Sequence, residues 1–377
     1  MTLRSRRGVA KGRAAVTVVF LAAVLVASPV LAARLPSARS QWHVIATVTT
    51  KNTNIYDMVA LPGGSAWVGG TRSEEAPILY HLIGGHLHAV TLPGPFDAFV
   101  GGVSGTSASN VWATIENEPD AARLTSHGWK LVSFAKGTDE ILMSGLVTLG
   151  PKNTWVFTYD FTTKLASAHH YNGSSWSTTP LPAIVGGSGY QGSLSASSPS
   201  NIWALAGTVA GTWITLRYNG HTWKVFPFPA NIVQTGYQLE PREILISSAS
   251  SAWVTIESYK GNTFGPIELA HWNGHSWVKL TRKVQAGYLT GPIASDGHGG
   301  LWLDATVPNG TLIGKPFFLD YRAGIWTRYT SPAAADGAIG LSAISVVPGT
   351  TSVLGVGMVD EGGMGASKGI AVVKYGS

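Results

Sequence analysis

Tryptophan sets the register of this chain. The motif Ser/Asn-x-Trp, followed by apolar or small residues, recurs at Trp67, Trp112, Trp155, Trp203 and Trp253. Gly-Leu-Trp302 continues the series and Leu354 takes the seventh place. The spacings are 45, 43, 48, 50, 49 and 52 residues. A period of this size is the mark of one supersecondary unit copied many times, and it constrains the fold before any motif does. A second element follows each first one: an aromatic residue, Asn-Gly, two further residues and Trp. It reads Tyr171-Asn-Gly-Ser-Ser-Trp176, Tyr218-Asn-Gly-His-Thr-Trp223 and Trp272-Asn-Gly-His-Ser-Trp277. Weaker copies end at Trp129 and Trp326, and His88 replaces the tryptophan in the first unit. With Trp42, the two elements absorb all the tryptophans except Trp213 and Trp272, and Trp272 stands where Tyr171 and Tyr218 do.

Every unit reads as strand. Short runs of β-branched and aromatic residues alternate with Gly, Asn, Pro and Ser, and no capped stretch of helical period interrupts them. Asn-Gly between two such runs predicts a type I′ hairpin turn, which needs positive φ at both central residues. A unit is therefore four strands, for example an inner strand over 192–197, the Trp203 strand, Ile214–Tyr218 and the Trp223 strand. Four strands per period, repeated about seven times, define a β-propeller.

The ends of the chain supply a separate argument. The last residues, Val372 to Ser377, read as a third strand halted in its turn, while Gln41-Trp42-His43-Val44 reads as a missing fourth strand. The expectation is an all-β, seven-bladed propeller of four-stranded antiparallel blades over residues 41–377, its last blade closed by the N-terminal strand. Closure removes the open sheet edges that invite aggregation. Tryptophans that recur once per blade then read as packing between blades, each worth on the order of 1.5–3 kcal/mol when buried, and not as sugar-stacking platforms.

The formal charge of +6 comes from one segment. Residues 1–33 carry Arg4, Arg6, Arg7, Lys11 and Arg13 with no acid, then an apolar run from Ala14 to Ala27 and a small-residue exit through Val30-Leu31-Ala32-Ala33. This is the pattern of an export signal peptide. Ser5-Arg6-Arg7 resembles the twin-arginine motif; a general secretory signal and an uncleaved anchor are the other two readings. A linker over 34–40 follows. Without the five basic residues, 21 Lys and Arg face 20 Asp and Glu, so the mature domain is nearly neutral and a nucleic-acid role is set aside. The absence of cysteine excludes disulfides, thiolate nucleophiles and zinc–thiolate sites.

The repeats resemble the tryptophan-rich propellers of secreted bacterial proteins, the kelch or galactose-oxidase-like group. Trp67-Val68-Gly69-Gly70 carries the kelch glycine doublet, in one blade only. The oxidase chemistry of that group uses a Cys-linked tyrosine and does not transfer to a chain without cysteine. The Asn-Gly-x-x-Trp turns are also similar to the Asp-box of sialidase propellers, although the Ser and Asp are missing. Sialidases clamp a carboxylate with three arginines, and here only Arg242 begins an inner strand.

Variable loops between second and third strands share one face with the links between blades, and binding usually resides on such loops. Polar residues where inner strands begin would ring the channel there: Tyr56, Asp57, Asp97, Glu140, Tyr190, Gln191, Arg242, Glu243 and Tyr288. They suit a polyol, a sugar or a cation, or stand as solvated loop residues around a water-filled channel. His170, Arg217, His271, Asp320 and Lys374 hold equivalent places in different blades, too far apart to share an ion, so no metal or cofactor is expected. The sequence thus favours a monomeric, extracytoplasmic binding or scaffold propeller over an enzyme, with a glycan or protein partner. A carbohydrate-active hydrolase or lyase using central carboxylates is the alternative.

Overall fold

The computed structural model describes residues 41–376 apart from 74–75, 95–97, 117, 135–140, 187–192, 230, 233–235, 262, 265–267, 281–287, 310–311, 335–336 and 361–367. Residues 1–33, expected to be an export signal, and the expected linker over 34–40 lie outside the described residues.

Seven antiparallel sheets form the blades. Their inner strands are Thr53–Ala60, Val100–Ser107, Ile141–Gly150, Leu194–Ser198, Gln238–Ser248, Tyr288–Ser295 and Gly337–Val346. Each packs against the next, and the seventh returns to the first, so the ring is closed. The strand His43–Thr49 pairs with Gly369–Tyr375 from His43↔Lys374 to Thr49↔Gly369 and completes blade 7. The two ends of the chain therefore share one sheet, as the sequence predicts. Blade 5 adds a short strand, Thr263–Phe264, and Ala333–Ala334 pairs with the inner strand of blade 7. Among the described residues, no helix is long and apolar enough to cross a membrane.

Tryptophans join the blades edge to face. The second-strand tryptophan of one blade meets the fourth-strand tryptophan of the next in five pairs. These are Trp67–Trp129, Trp112–Trp176, Trp155–Trp223, Trp203–Trp277 and Trp302–Trp42, with ring centroids 5.1–6.0 Å apart and planes at 77–90°. That is the geometry the ring quadrupoles favour. Between blades 5 and 6, Trp253 meets the third-strand Tyr321 at 5.5 Å, and Trp326 packs against the same cluster. Between blades 7 and 1 both positions are replaced, by Leu354 and by Leu87; His88, which the sequence puts there, falls one residue further on, because the two-residue turn pairs Leu82 with Leu87, and Leu87 packs in the cluster that holds Leu354 while His88 is exposed. The two gaps in the repeat are thus the two sides of one junction.

Across the ladder from five of the six second-strand tryptophans stands a cationic or imidazole side chain, while Trp302 is paired with Asp320. Trp67, Trp155 and Trp253 stack on His81, His170 and His271 at 4.2, 4.3 and 4.1 Å. Arg123 and Arg217 lie over Trp112 and Trp203 at 5.3 and 5.4 Å. Burial lowers the pKa of all three histidines, which favours the neutral ring. His169 exchanges hydrogen bonds with Thr158 (2.8 Å) and Thr178 (2.9 Å), and burial pushes it down to about 4. His81, His170 and His271 thus pack on indoles and His169 bridges two hydroxyls; no three His, Asp or Glu come together as metal ligands among the described residues.

The Asn-Gly turns differ from expectation. Tyr171↔Trp176, Tyr218↔Trp223 and Trp272↔Trp277 are paired, which leaves a loop of four residues and not two. Only the glycine takes positive φ, 104° at Gly173. The Asn side chain instead accepts from the N–H groups two and three residues on, for instance Ser174 and Ser175 onto Asn172 Oδ1 at 3.0 Å. This is an Asx-type cap, in which a side chain imitates the backbone. Two-residue turns with positive φ at both positions do occur, at Gly84-Gly85 and Ala323-Gly324.

Candidate functional site

A β-bulge recurs in the inner strands. The register shifts between Ile55 and Asp57, Val100 and Gly102, Met143 and Gly145, Pro241 and Glu243, Leu289 and Ile293, and Leu341 and Ala343. A bulge turns its extra residue away from the ladder. In blades 1 and 5 that residue is Tyr56 and Arg242, and both line a cavity of about 590 Å³ at the ring's axis. Immediately after the bulge comes one level of this channel, built from Asp57, Gly102, Gly145, Ser193, Glu243, Pro292 and Ala343. Each lies ten residues before a second-strand tryptophan, except Ala343, eleven before Leu354.

An inner strand leaves one edge of its backbone without a ladder partner, and buried N–H groups need acceptors. Side chains of the preceding blade supply them. Val103 N–H donates to Asp57 Oδ2 (2.7 Å), Ile244 to Ser193 Oγ (3.2 Å) and Ile293 to Glu243 Oε2 (2.8 Å). One step further along the strand, Thr148, Ile246 and Ala60 donate to Ser104, Ser195 and Ser345 at 2.8, 3.0 and 3.1 Å. Leu341 donates to Asp304 at 3.0 Å. Asp57 and Glu243 are accordingly staples between blades as well as channel groups.

The two carboxyl groups differ in their environment. Asp57 uses both oxygens, since Oδ1 accepts from Met58 N–H at 2.8 Å. Enclosure by protein still raises it to about 6 against the pull of those two N–H groups. Enclosure raises Glu243 further, to about 8; the Ile293 N–H opposes this and the charge of Asp57 across the channel adds to it. Glu243 therefore carries a proton at neutral pH.

A stability change follows from that proton. Folding raises this carboxyl's pKa from its ordinary 4.5 to about 8, so its contribution is present at low pH and is lost as pH rises through 8. Between pH 6.5 and 8.5 the loss is about 2 kcal/mol. Thermal melts should show Tm falling over this window in the native protein. Glu243→Gln, which keeps an acceptor for Ile293, should flatten the fall; an unchanged slope would refute the assignment.

At the channel mouth Tyr56 leans on Phe99, ring centroids 4.8 Å apart, and is 41% exposed. Arg242 is held by Glu257 (Nε to Oε2, 2.9 Å) and Glu240 (3.0 Å), so its charge is spent within the protein. Arg217 lies over Trp203, and Arg322 is bonded to Asp296 at 2.7 Å. A three-arginine clamp is not formed by these groups.

Of the residues expected at the channel, Tyr56, Asp57, Arg242 and Glu243 are brought together. Tyr288 begins the inner strand of blade 6, paired with Thr306, and its side chain lies outside the described residues. Asp97, Glu140, Tyr190 and Gln191 also lie outside them. Sequence reasoning missed Ser104, Ser193 and Ser195, yet their fixed offsets of eight and ten residues before a tryptophan were readable.

The fold and site define a seven-bladed β-propeller with an axial, acid-bearing channel. No protein-family model matches the chain, and no curated protein matches it by sequence. Solved structures do. YCF48 bound to D1 peptide is 14% identical, with 91% of this chain and 98% of that one covered at a TM-score of 0.57. YCF48 from Cyanidioschyzon merolae is 14% identical over 89% and 98%, at 0.55. A catalytically inactive virginiamycin B lyase from Staphylococcus aureus, with quinupristin, is 14% identical over 88% and 99%, also at 0.55. At this identity the likeness is one of fold.

Proposed function

We propose that this is an extracytoplasmic binding propeller that recognises a glycan or protein partner through its loop-rich face and channel mouth. The observation that carries the reading is the channel of about 590 Å³, with exposed Tyr56 at its mouth. Tyrosine and arginine at a rigid concave site are the residues on which binding energy tends to concentrate. A propeller of similar trace, YCF48, has been seen with a peptide, which supports the fold's capacity for such a partner. The basic, then apolar, then small-residue pattern of residues 1–33 supports export, and so the kinship with secreted tryptophan-rich propellers; N-terminal sequencing of exported protein tests a cut within the Val30-Leu31-Ala32-Ala33 exit.

Glycan-array and peptide-display screens will supply a partner. Tyr56→Ala should then weaken it at least about tenfold, or about 1.4 kcal/mol, and Arg242→Ala should weaken it as well. Full affinity in both variants would remove the channel mouth from the interface.

A second reading, a carbohydrate-active hydrolase or lyase, draws support from Asp57 and Glu243 sharing one channel with different proton affinities. Against it, both Asp57 oxygens already accept backbone N–H bonds. Turnover of any bound glycan, abolished in Glu243→Gln, would favour this reading.

A further inference from the structure

The fourth strand of each blade is a sheet edge, and free edges invite stray pairing unless charge, proline or shortness blunts them. Five of the seven outer strands carry such residues: Lys130, Pro180, Lys224 with Pro227, Lys279 and Arg328. The two that flank the junction between blades 7 and 1 have neither Lys, Arg nor Pro. His86–Val90 is short, whereas His43–Thr49, with seven residues, is the longest outer strand among the described residues and reads His-Val-Ile-Ala-Thr-Val-Thr. Its outer edge has no backbone partner among the described residues. A bulge at Ile45 interrupts its ladder, but Ala46 to Thr49 pair in order with Val372 to Gly369, so four residues of regular edge remain.

A groove of about 390 Å³ runs beside this edge, lined by residues 44–48 and 85–87. Ile45 and Leu87 are half-buried there, Thr47 and His86 stand exposed, and the remaining polar groups of the lining are backbone. The repeat accounts for the gap. The fourth-strand place holds an indole in six blades and Leu87 in blade 1; the second-strand place holds one in six and Leu354 in blade 7. Leu87 and Leu354 meet in one cluster, so this junction alone is two indoles short. We propose that the edge and its groove take an extended segment of a partner polypeptide by strand addition, with a tryptophan of that segment seated between the His43–Thr49 strand and the Gly84-Gly85 hairpin. In strand addition the backbone supplies affinity and a side-chain pocket supplies selectivity. Charge sets the pocket's preference: no Lys, Arg, Asp or Glu lines it, so an ionised side chain finds no counter-ion there. An apolar cavity of about 150 Å³ already holds benzene, so the groove has room for an indole. A second copy of this chain would offer only the same strand, which has no indole to give. This surface lies at the rim of the ring, apart from the channel mouth, and stands or falls independently of it.

The test is calorimetry of the intact protein with the peptide acetyl-Lys-Thr-Val-Trp-Val-Thr-amide, with hydrogen exchange read in parallel. One control peptide has Ala for Trp; another has alternate amides N-methylated, so that they no longer donate. The expected result is a Kd of about 0.1 mM or tighter, at least about tenfold weaker for each control. Amide exchange should slow in His43–Thr49 and in no other outer strand. Thr47→Lys, at an exposed position, should weaken the peptide at least about tenfold by charging the edge. Leu87→Trp should raise Tm, because the junction gains an indole, and should bring the tryptophan peptide down to the level of the alanine one. No binding at about 1 mM, equal affinity of the tryptophan and alanine peptides, or protection confined to another strand would overturn the proposal. So would a tryptophan preference that survives Leu87→Trp. A dimer of the intact protein that Thr47→Lys dissolves would overturn the partner assignment in favour of a second copy. The native-protein arms decide the matter even if a variant does not fold.

Discussion

A chain that begins after Thr49 should fail to give a soluble monomer. The missing strand supplies Trp42, which is 6% exposed and packs on Phe318 at 4.5 Å, Trp302 at 5.3 Å and Tyr375 at 5.7 Å. Losing that side chain alone costs about 3–5 kcal/mol. The ladder from His43 to Thr49 goes with it, and the strand Gly369–Tyr375, with its buried Ala371, Val372 and Val373, becomes an open edge. Whole-domain stability is about 5–15 kcal/mol, so these losses together reach its scale. Size-exclusion chromatography should show aggregate, and circular dichroism should show the native β signal lost. A monomer melting within a few degrees of the complete protein would refute ring closure by this strand.

The second large effect is expected from Trp112→Ala. Trp112 is fully buried, lies edge-on to Trp176 at 5.4 Å, touches Tyr171 at 4.9 Å and carries the Arg123 guanidinium over its face. Arg123 also donates to the Tyr171 hydroxyl at 2.9 Å, so the indole anchors a small network between blades 2 and 3. Removal should cost about 4 kcal/mol, because interblade walls built from sheets close poorly over a lost indole. Urea denaturation should show this loss with an unchanged m-value. Leu354→Ala, at the junction without a tryptophan pair, should cost less, about 2–3 kcal/mol.

The blade count, the strand order and the shared seventh sheet were all legible, because a hydrophobic repeat and its turn residues are local signals. What a repeat does not reveal is which copies touch. Trp67 aligns with Trp112 in sequence, yet its partner is Trp129, the fourth-strand residue of the neighbouring blade. Leu354 and the absent tryptophan of the first unit therefore looked like two unrelated lapses and are one junction, with Leu87 and not His88 in the fourth-strand place. The Asn-Gly turns misled because the same dipeptide serves a two-residue turn and an Asx-capped loop of four, and only pairing across the hairpin separates them. At the site, Asp57 and Glu243 could be nominated from their place at the start of inner strands. Their bonds to Val103 and Ile293 could not, since those run between blades whose rotation the sequence leaves open.

The closing sheet also has a consequence for synthesis. The strand His43–Thr49 leaves the ribosome first among the propeller's strands, and its partner Gly369–Tyr375 leaves last. Until then its backbone donors and the Trp42 indole have no native place to go, while blades 1 to 6 can already stack. Contacts so distant in sequence form late and slowly. In that interval the orphan strand of one nascent chain fits the unfinished sheet of any other. Refolding at rising protein concentration should therefore yield strand-swapped oligomers in place of monomers, with the hinge near Thr50.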